Sequence, residues 1–414
     1  MKVLWLSQNL PYPPKTGVLQ RNYNLIREAA AMADVHLVAI VKEDILPTFD
    51  EAVAARELGA LCKSVTTVHL PIERSRGVFL WIVLKSLLTP TPFTANWTKS
   101  RELYRAIEAA AKNGPYDMVF FDTISLAPFR HLVKGMPTAL NHHNIESHLL
   151  LRRQLYESNP LKRFYLNLEG KKLHRYEAKV AKDFDLNLVV STLDGDRLRQ
   201  ICPGATTAVL ANGVDVEYFR RSAPISTIER GHLIMVSGMN WFPNRDAVML
   251  MVETVWPKLT RILPDAKLTI VGASPPQAVV DAAARDRRIT VTGFVDDVRP
   301  YMERAQVYLC PMRDGGGTRL KILDALSMEV PIVATQMALE GIDVVPGRDV
   351  LVANEPDELV TQIARLVNDP ELCEQLRHNG RAFVEQHFSW PVIRRQMEQG
   401  FRRAAEKRAE GSRR

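Results

Sequence analysis

Short, almost wholly apolar segments recur along this chain in two series, separated by amphipathic stretches at helical spacing. The first series predicts strands at residues 3–7, 35–41, 65–70, 118–122, 138–141, 186–191 and 207–210. The second predicts them at 233–236, 267–271, 289–291, 306–310, 331–334 and 350–352. Helical patterns fill the gaps, among them 18–33, 101–112, 149–182, 194–201 and 245–262, with 357–366 and 370–387 closing the second series. Strands joined by helical crossovers make a parallel sheet covered on both faces. Two such series in 414 residues predict an α/β protein of two domains. The expected divisions are an N-terminal domain at 1–219, a linker at 220–231 without apolar periodicity, a C-terminal domain at 232–388, a helix at 389–407 and a disordered tail at 408–414.

The second series is organised around residues 310–335. A strand runs into Gly315, Gly316 and Gly317, a helical pattern covers 318–328, and the next strand follows. Strand, glycine loop and helix start together offer backbone N–H groups and a positive dipole end to a phosphate. Thr318, Arg319 and Lys321 lie beside that loop, and Asp324 is placed to accept hydrogen bonds from sugar or ribose hydroxyls. The plainer alternative is a flexible loop with Lys321 and Asp324 as an ordinary i,i+3 pair. Residues 237–244, with Gly238 and Asn244, form a second strand–loop–helix phosphate candidate.

In the first series Gly17 sits where the first strand hands over to its helix; it suits close approach to a ligand or a simple turn. His142, His143, Asn144, Glu146 and Ser147 cluster just past the strand at 138–141. In open α/β sheets that edge faces the ligand crevice. Helix capping by Asn144 or Ser147 accounts for part of the cluster.

A net charge of +7 favours anionic partners. No RNA- or DNA-binding motif accompanies it, so nucleic acid is not an expected partner. The basic helix at 149–182 reads as a solvated face or as a dock for an anionic membrane, to which residues 74–88, basic and then apolar around Trp81, would contribute. Four widely spaced cysteines suit a reducing cytoplasm, and no apolar run is long enough to be a signal peptide or to span a bilayer.

Several strings now make a resemblance specific: Asn212-Gly-Val-Asp215 followed by Phe219, then Leu268-Thr-Ile-Val-Gly272, Val291-Thr-Gly-Phe-Val-Asp-Asp-Val298 and Ala305-Gln-Val-Tyr-Leu-Cys-Pro311. The glycine loop with its Leu-Asp-Ala helix and Pro331-Ile-Val-Ala-Thr335 complete the set. Over roughly residues 205–390 the chain resembles a family 4 retaining glycosyltransferase. The resemblance implies GT-B architecture: two Rossmann-like domains facing a central cleft, with a C-terminal helix returning to the N-terminal domain. It implies sugar transfer from a nucleotide-diphosphate sugar, UDP or GDP most simply, to a hydroxyl of a glycan or lipid-linked acceptor. No cofactor and no metal are expected, because helix dipole and basic side chains neutralise the leaving diphosphate. The loop variant resembles a subgroup of bacterial exopolysaccharide, capsule and cell-surface glycan assembly, which places the protein in the cytoplasm or at the inner face of the plasma membrane.

The resemblance also assigns residues. The diphosphate would sit on residues 315–318 with Arg319 and Lys321 nearby; the nucleoside would lie over Thr292, Gly293, Phe294 and Val295 and reach Asp324. His143 and Gly17 would approach the transferred sugar, and His142 and Glu146 the acceptor. The chain departs from the family pattern at three places: Gly316 stands where the first of two carboxylates is usual, and Met239 and Asn244 stand where an Arg and a Lys are usual. Glu340 is the candidate substitute for the missing carboxylate. Alternatives on this architecture are a nucleotide-sugar epimerase and a binding scaffold with a decayed donor site. A metal-dependent transferase would need an Asp-x-Asp motif; Asp183-Phe-Asp185 precedes a strand and Asp194-Gly-Asp196 caps a helix, so both read as structural.

Overall fold

The computed structural model describes residues 1–413 except Thr16 and 43–48. It divides into two compact units. The first comprises Met1–Asn212 together with the chain from Ile393 onward, and the second comprises Gly213–Val392.

The first unit holds a seven-stranded parallel sheet: β1 (Lys2–Ser7), β2 (Asp34–Val41), β3 (Ser64–His69), β4 (Met118–Phe121), β5 (Thr138–His142), β6 (Leu186–Val189) and β7 (Thr207–Val209). Their order is β3-β2-β1-β4-β5-β6-β7. The second unit holds six parallel strands, β8 (His232–Val236), β9 (Lys267–Val271), β10 (Ile289–Gly293), β11 (Val307–Cys310), β12 (Ile332–Ala334) and β13 (Leu351–Val352), in the order β10-β9-β8-β11-β12-β13. Both sheets grow outward in one direction and then reverse, after β3 and after β10. That leaves a switch point between β1 and β4 and another between β8 and β11, where outgoing loops diverge and a ligand crevice opens.

Helices cover both faces, so the inner strands are largely apolar; β4 and β6 are buried at every position, Asn187 of β6 included. Trp5 stacks on Phe120 of the adjacent strand at 3.8 Å between centroids, and Phe120 meets Phe401 edge-on. Gly400 presses close to Leu186 and Leu188, which seats the C-terminal helix in this unit.

Four expectations of local structure are corrected. Residues 220–231 are not the linker between the two units, because the second unit already begins at Gly213. They pack on the second unit, where Glu303 accepts hydrogen bonds from Ser222 N (2.7 Å), Ser222 Oγ (2.8 Å) and Ala223 N (3.2 Å). The helix expected over 149–182 is two, Glu146–Tyr156 and Pro160–Val180. Asn159 caps the second through Leu161 N and Lys162 N, and Pro160 occupies its first position. The helix expected over 245–262 widens into a π turn at Met251–Val255. Residues 408–413 are not a disordered tail but continue the helix Trp390–Arg413.

Candidate functional site

The second unit's switch point is built from two loops. Ser237 and Gly238 leave β8, and residues 311–319 leave β11. The β8 loop is stitched to its neighbour: Ser237 N donates to Val271 O at 2.8 Å and Met239 N to Ala273 O at 2.9 Å. Gly272, at φ +147°, makes this possible, because a Cβ there would lie 1.8 Å from Ser237 O. In the β11 loop Gly315 and Gly317 adopt φ of +134° and +66°. A Cβ on Gly315 would press on Arg319, Met312 and Trp241. The amide of Gly315 donates to Asp314 Oδ1 at 2.7 Å, so this backbone already presents an N–H to a carboxylate oxygen. The helix Leu320–Ser327 follows, and no side chain caps its N-terminus.

Lys321 joins the two loops. Its Nζ donates to Asn244 Oδ1 at 2.6 Å and to Ser237 Oγ at 2.9 Å, while Asn244 Nδ2 donates to Gly238 O at 2.8 Å. The i,i+3 pairing of Lys321 with Asp324 is therefore not what this lysine does. Burial lowers the Lys321 pKa, with Cys310 acting against the shift and Arg319 adding to it. A half-buried ammonium held by the neutral oxygens of Ser237 and Asn244 is under-compensated, and an anion would complete it. Arg319, itself buried, donates from its guanidinium to Gly317 O and braces the glycine loop. The departure at Asn244 thus has a structural role: it orients the lysine that stands across the crevice. Met239 is buried and apolar.

Asp324 is half-buried, and its Oδ1 is fully enclosed without a hydrogen-bond partner. Burial pushes its carboxyl up to about 8. A folded-state pKa raised above the unfolded 3.8 gives stability that is full below about 3.8 and lost as pH rises through about 8. Asp324→Asn is therefore expected to gain stability relative to the parent on going from pH 5 to pH 8, by on the order of 2 kcal/mol. Melting temperatures of both proteins at the two pH values measure this; parallel pH profiles would reject the burial of this carboxyl.

The remaining expected donor residues lie farther along the sheet. Thr292 and Gly293 end β10, at the sheet's edge, followed by Phe294, 60% exposed, and Val295. Gly293 O accepts from Gly272 N at 2.9 Å, which ties this corner to the β8–β9 stitch. Glu340 lies in the turn after β12, beyond Thr335, whose hydroxyl bonds Met312 O. Gly316 sits between the two positive-φ glycines. The Asn212-to-Phe219 string has structural duties: Asp215 Oδ1 caps Glu217 N and Tyr218 N, and Phe219 O accepts from Ser327 Oγ at 2.7 Å.

In the first unit the switch point gathers a polar network. His143 Nε2 lies 3.0 Å from Oδ1 of Asp122, which follows β4 and is fully buried. Asp122 Oδ2 accepts from Asn22 Nδ2 at 2.6 Å. Asn141 Nδ2 reaches Asp122 O at 3.2 Å, and its Oδ1 accepts from Arg21 at 3.2 Å. Arg21 also donates to Leu210 O, Ala211 O and Asn212 Oδ1, and burial lowers its pKa to about 10 against the pull of Asp122. A carboxylate 3.0 Å from Nε2 fixes the orientation of the ring. Gly17 starts the helix Gly17–Ala30 that supplies Arg21 and Asn22.

His142 stands apart from His143. It is 3% exposed, bonds Asn187 Oδ1 at 3.0 Å, and is driven to about 4 mainly by burial. It is a neutral ring inside the sheet, not a surface for an acceptor. Glu146 is half-buried at the start of its helix; burial raises its pKa, offset by His143 and Lys42. Three of the four Asp-x-Asp carboxylates have structural partners: Asp185 accepts from Thr138 N and Oγ1 at 2.8 Å, Asp194 accepts from Ser191 Oγ at 2.7 Å, and Asp196 pairs with Arg199.

Ser237 lay inside the loop expected at 237–244, but sequence reasoning missed Asp122, Asn141, Arg21 and Asn22 as site residues. Polar residues on the otherwise apolar face of the first helix were the available signal.

Residues 230–369 match the family model described as Glycosyl transferases group 1. Over 141 residues, 32% of this chain, the sequence is 25% identical to a capsular polysaccharide biosynthesis glycosyltransferase, CapM, of Staphylococcus aureus. The match spans 37% of that relative, and a second match spans 27% of a glycosyltransferase of Methanocaldococcus jannaschii at 30% identity over 23% of this chain. The fold is similar over nearly the whole chain to sucrose-phosphate synthase from Thermosynechococcus elongatus, with TM-score 0.70, 17% identity, and 97% and 98% of the two chains covered. It is also similar to Anabaena HepE in complex with UDP, with TM-score 0.65, 17% identity, and 96% and 99% covered. Two parallel-sheet Rossmann-like units are thus shared with known glycosyltransferase structures of the GT-B class.

Proposed function

We propose that this protein transfers a sugar from a nucleoside diphosphate sugar to a hydroxyl of a glycan or lipid-linked acceptor, with retained anomeric configuration and without a required metal ion. The observation that carries the reading is Lys321, a half-buried cation fixed between two glycine-bearing loops by neutral Ser237 and Asn244. A diphosphate is a complementary occupant: its oxygens would accept from Lys321 and from backbone N–H groups of the loop at 315–318. The Asp324 carboxyl, half-buried on the helix that follows the loop, would accept from a ribose hydroxyl. Stabilising charge as the diphosphate departs is the largest task of such a site.

His143, steered by Asp122, is assigned to the transferred sugar, and Glu146 to the acceptor. Attack on the face that the leaving group vacates would preserve the anomeric configuration, with the departing phosphate taking the acceptor's proton. The match to a capsular polysaccharide biosynthesis glycosyltransferase supports an acceptor in surface polysaccharide synthesis; the enzyme is assigned to the cytoplasm or the inner face of the plasma membrane.

A thermal-shift screen of nucleotides and nucleotide sugars in EDTA tests the donor assignment. UDP or GDP and one cognate sugar nucleotide are expected to raise the melting temperature, since a ligand at a hundred times its Kd adds about 2.7 kcal/mol. No shift with any nucleoside diphosphate, or a shift only with a divalent cation, would overturn the reading. Product analysis with and without acceptor separates transfer from epimerisation.

A further inference from the structure

The helix Arg76–Leu88 is apolar at nearly every position, yet Ser86 is its only fully buried residue. One side of it is anchored. Ile82 packs on the core of the first unit, and Ser86 Oγ accepts from Asn96 Nδ2 at 3.0 Å. Lys172 Nζ donates to the carbonyls of Ser86 at 2.5 Å and Leu87 at 3.3 Å. The other side is not covered. At about 100° per residue, Leu80, Trp81, Leu84, Leu87 and Leu88 fall on one stripe roughly 120° wide. Leu80 is 64% exposed, Trp81 63% and Leu88 77%. By the same spacing Arg76 and Lys85 fall at the two edges of the stripe.

A row of aliphatic side chains and one tryptophan, bordered by cations, is the pattern of a helix lying in a membrane interface. At 13 residues the helix is about 20 Å long. Among the described residues no helix is long and apolar enough to cross a membrane. Charge near the helix has the matching sign. A cavity of about 720 Å³ at its first turns is lined by Lys42, Arg74 and Arg76 against one acid, Glu73, with Phe79 and Trp97 beside them. The helix Pro160–Val180, which supplies Lys172, also exposes Lys171 and Arg175.

We infer that Arg76–Leu88 docks this protein on an anionic phospholipid bilayer. The stripe enters the boundary between headgroups and acyl chains, while Arg76, Lys85 and the basic cavity meet lipid phosphates. The inference stands independently of the catalytic reading, since it concerns vesicle binding alone.

Vesicle flotation with the full chain tests it. The probes are phosphatidylcholine vesicles with and without 30–40% (roughly) phosphatidylglycerol. The parent is expected to float with the anionic vesicles, to float less in high salt, and to show a blue shift of tryptophan emission that Trp81→Phe removes. A Leu80→Ser/Leu84→Ser/Leu88→Ser variant is expected to lose at least about tenfold in binding with its melting temperature unchanged. Failure of the parent to float, or equal flotation of the variant, would overturn the inference. So would a parent dimer that the variant dissolves without any vesicle binding, since the stripe would then be a self-association face.

Discussion

Lys321→Ala is expected to lower kcat by about 10²–10³-fold, the usual cost of removing one fixed donor from developing negative charge. Folding should change little. The side chain makes two hydrogen bonds to neutral partners at a partly exposed crevice, worth about 1 kcal/mol each, and its removal relieves the burial of a cation. Asn244 keeps its bond to Gly238 O in the variant, so the β8 loop retains one of its supports. Steady-state kinetics with the cognate donor, alongside a thermal melt, read both quantities. Unaltered turnover would reject the assignment. A large loss of stability with proportionate loss of activity would make Lys321 a structural strut between two loops.

Gly272→Ala is expected to produce the largest stability change of any single methyl addition in the second unit. The new Cβ would meet the Ser237 carbonyl oxygen at 1.8 Å, and φ of +147° disfavours any side chain. Main chain must move, at a cost of about 3–5 kcal/mol. The moving atom belongs to the residue whose hydroxyl accepts from Lys321, so donor binding in the surviving folded fraction should fall as well. Urea titration followed by nucleotide calorimetry checks the pair of effects. Wild-type stability in this variant would show that the β8–β9 stitch is not rigid.

The alternation of apolar strands with helices was enough to place the strands of both sheets and their parallel sense, because parallel strands buried on two faces are mostly apolar runs. The glycine loop was legible too, since only glycine takes the conformations seen at Gly315 and Gly317 without strain. The network beneath His143 was not. Arg21, Asp122 and Asn141 come from three distant stretches, and only the order β1-β4-β5 makes them neighbours. The same order separates His142 from His143: successive residues at a strand end point oppositely, one into Asn187 and one toward Asp122. At 408–413 a polar composition suggested disorder, but Arg408, Ala409 and Glu410 are good helix formers and extend the helix already begun at Trp390. At 220–231 the missing periodicity was real; the segment is irregular but bonded along Glu303.

The central claim is that a diphosphate leaving group is held by the β11 glycine loop and Lys321, without a metal ion. A crystal grown with UDP or GDP in the presence of EDTA tests it most directly. The account predicts diphosphate oxygens within hydrogen-bond distance of Lys321 Nζ and of the amides at residues 315–318, with a ribose hydroxyl on Asp324. A diphosphate bound elsewhere, or one seen only when manganese is added and bridged to the protein through it, would contradict the account.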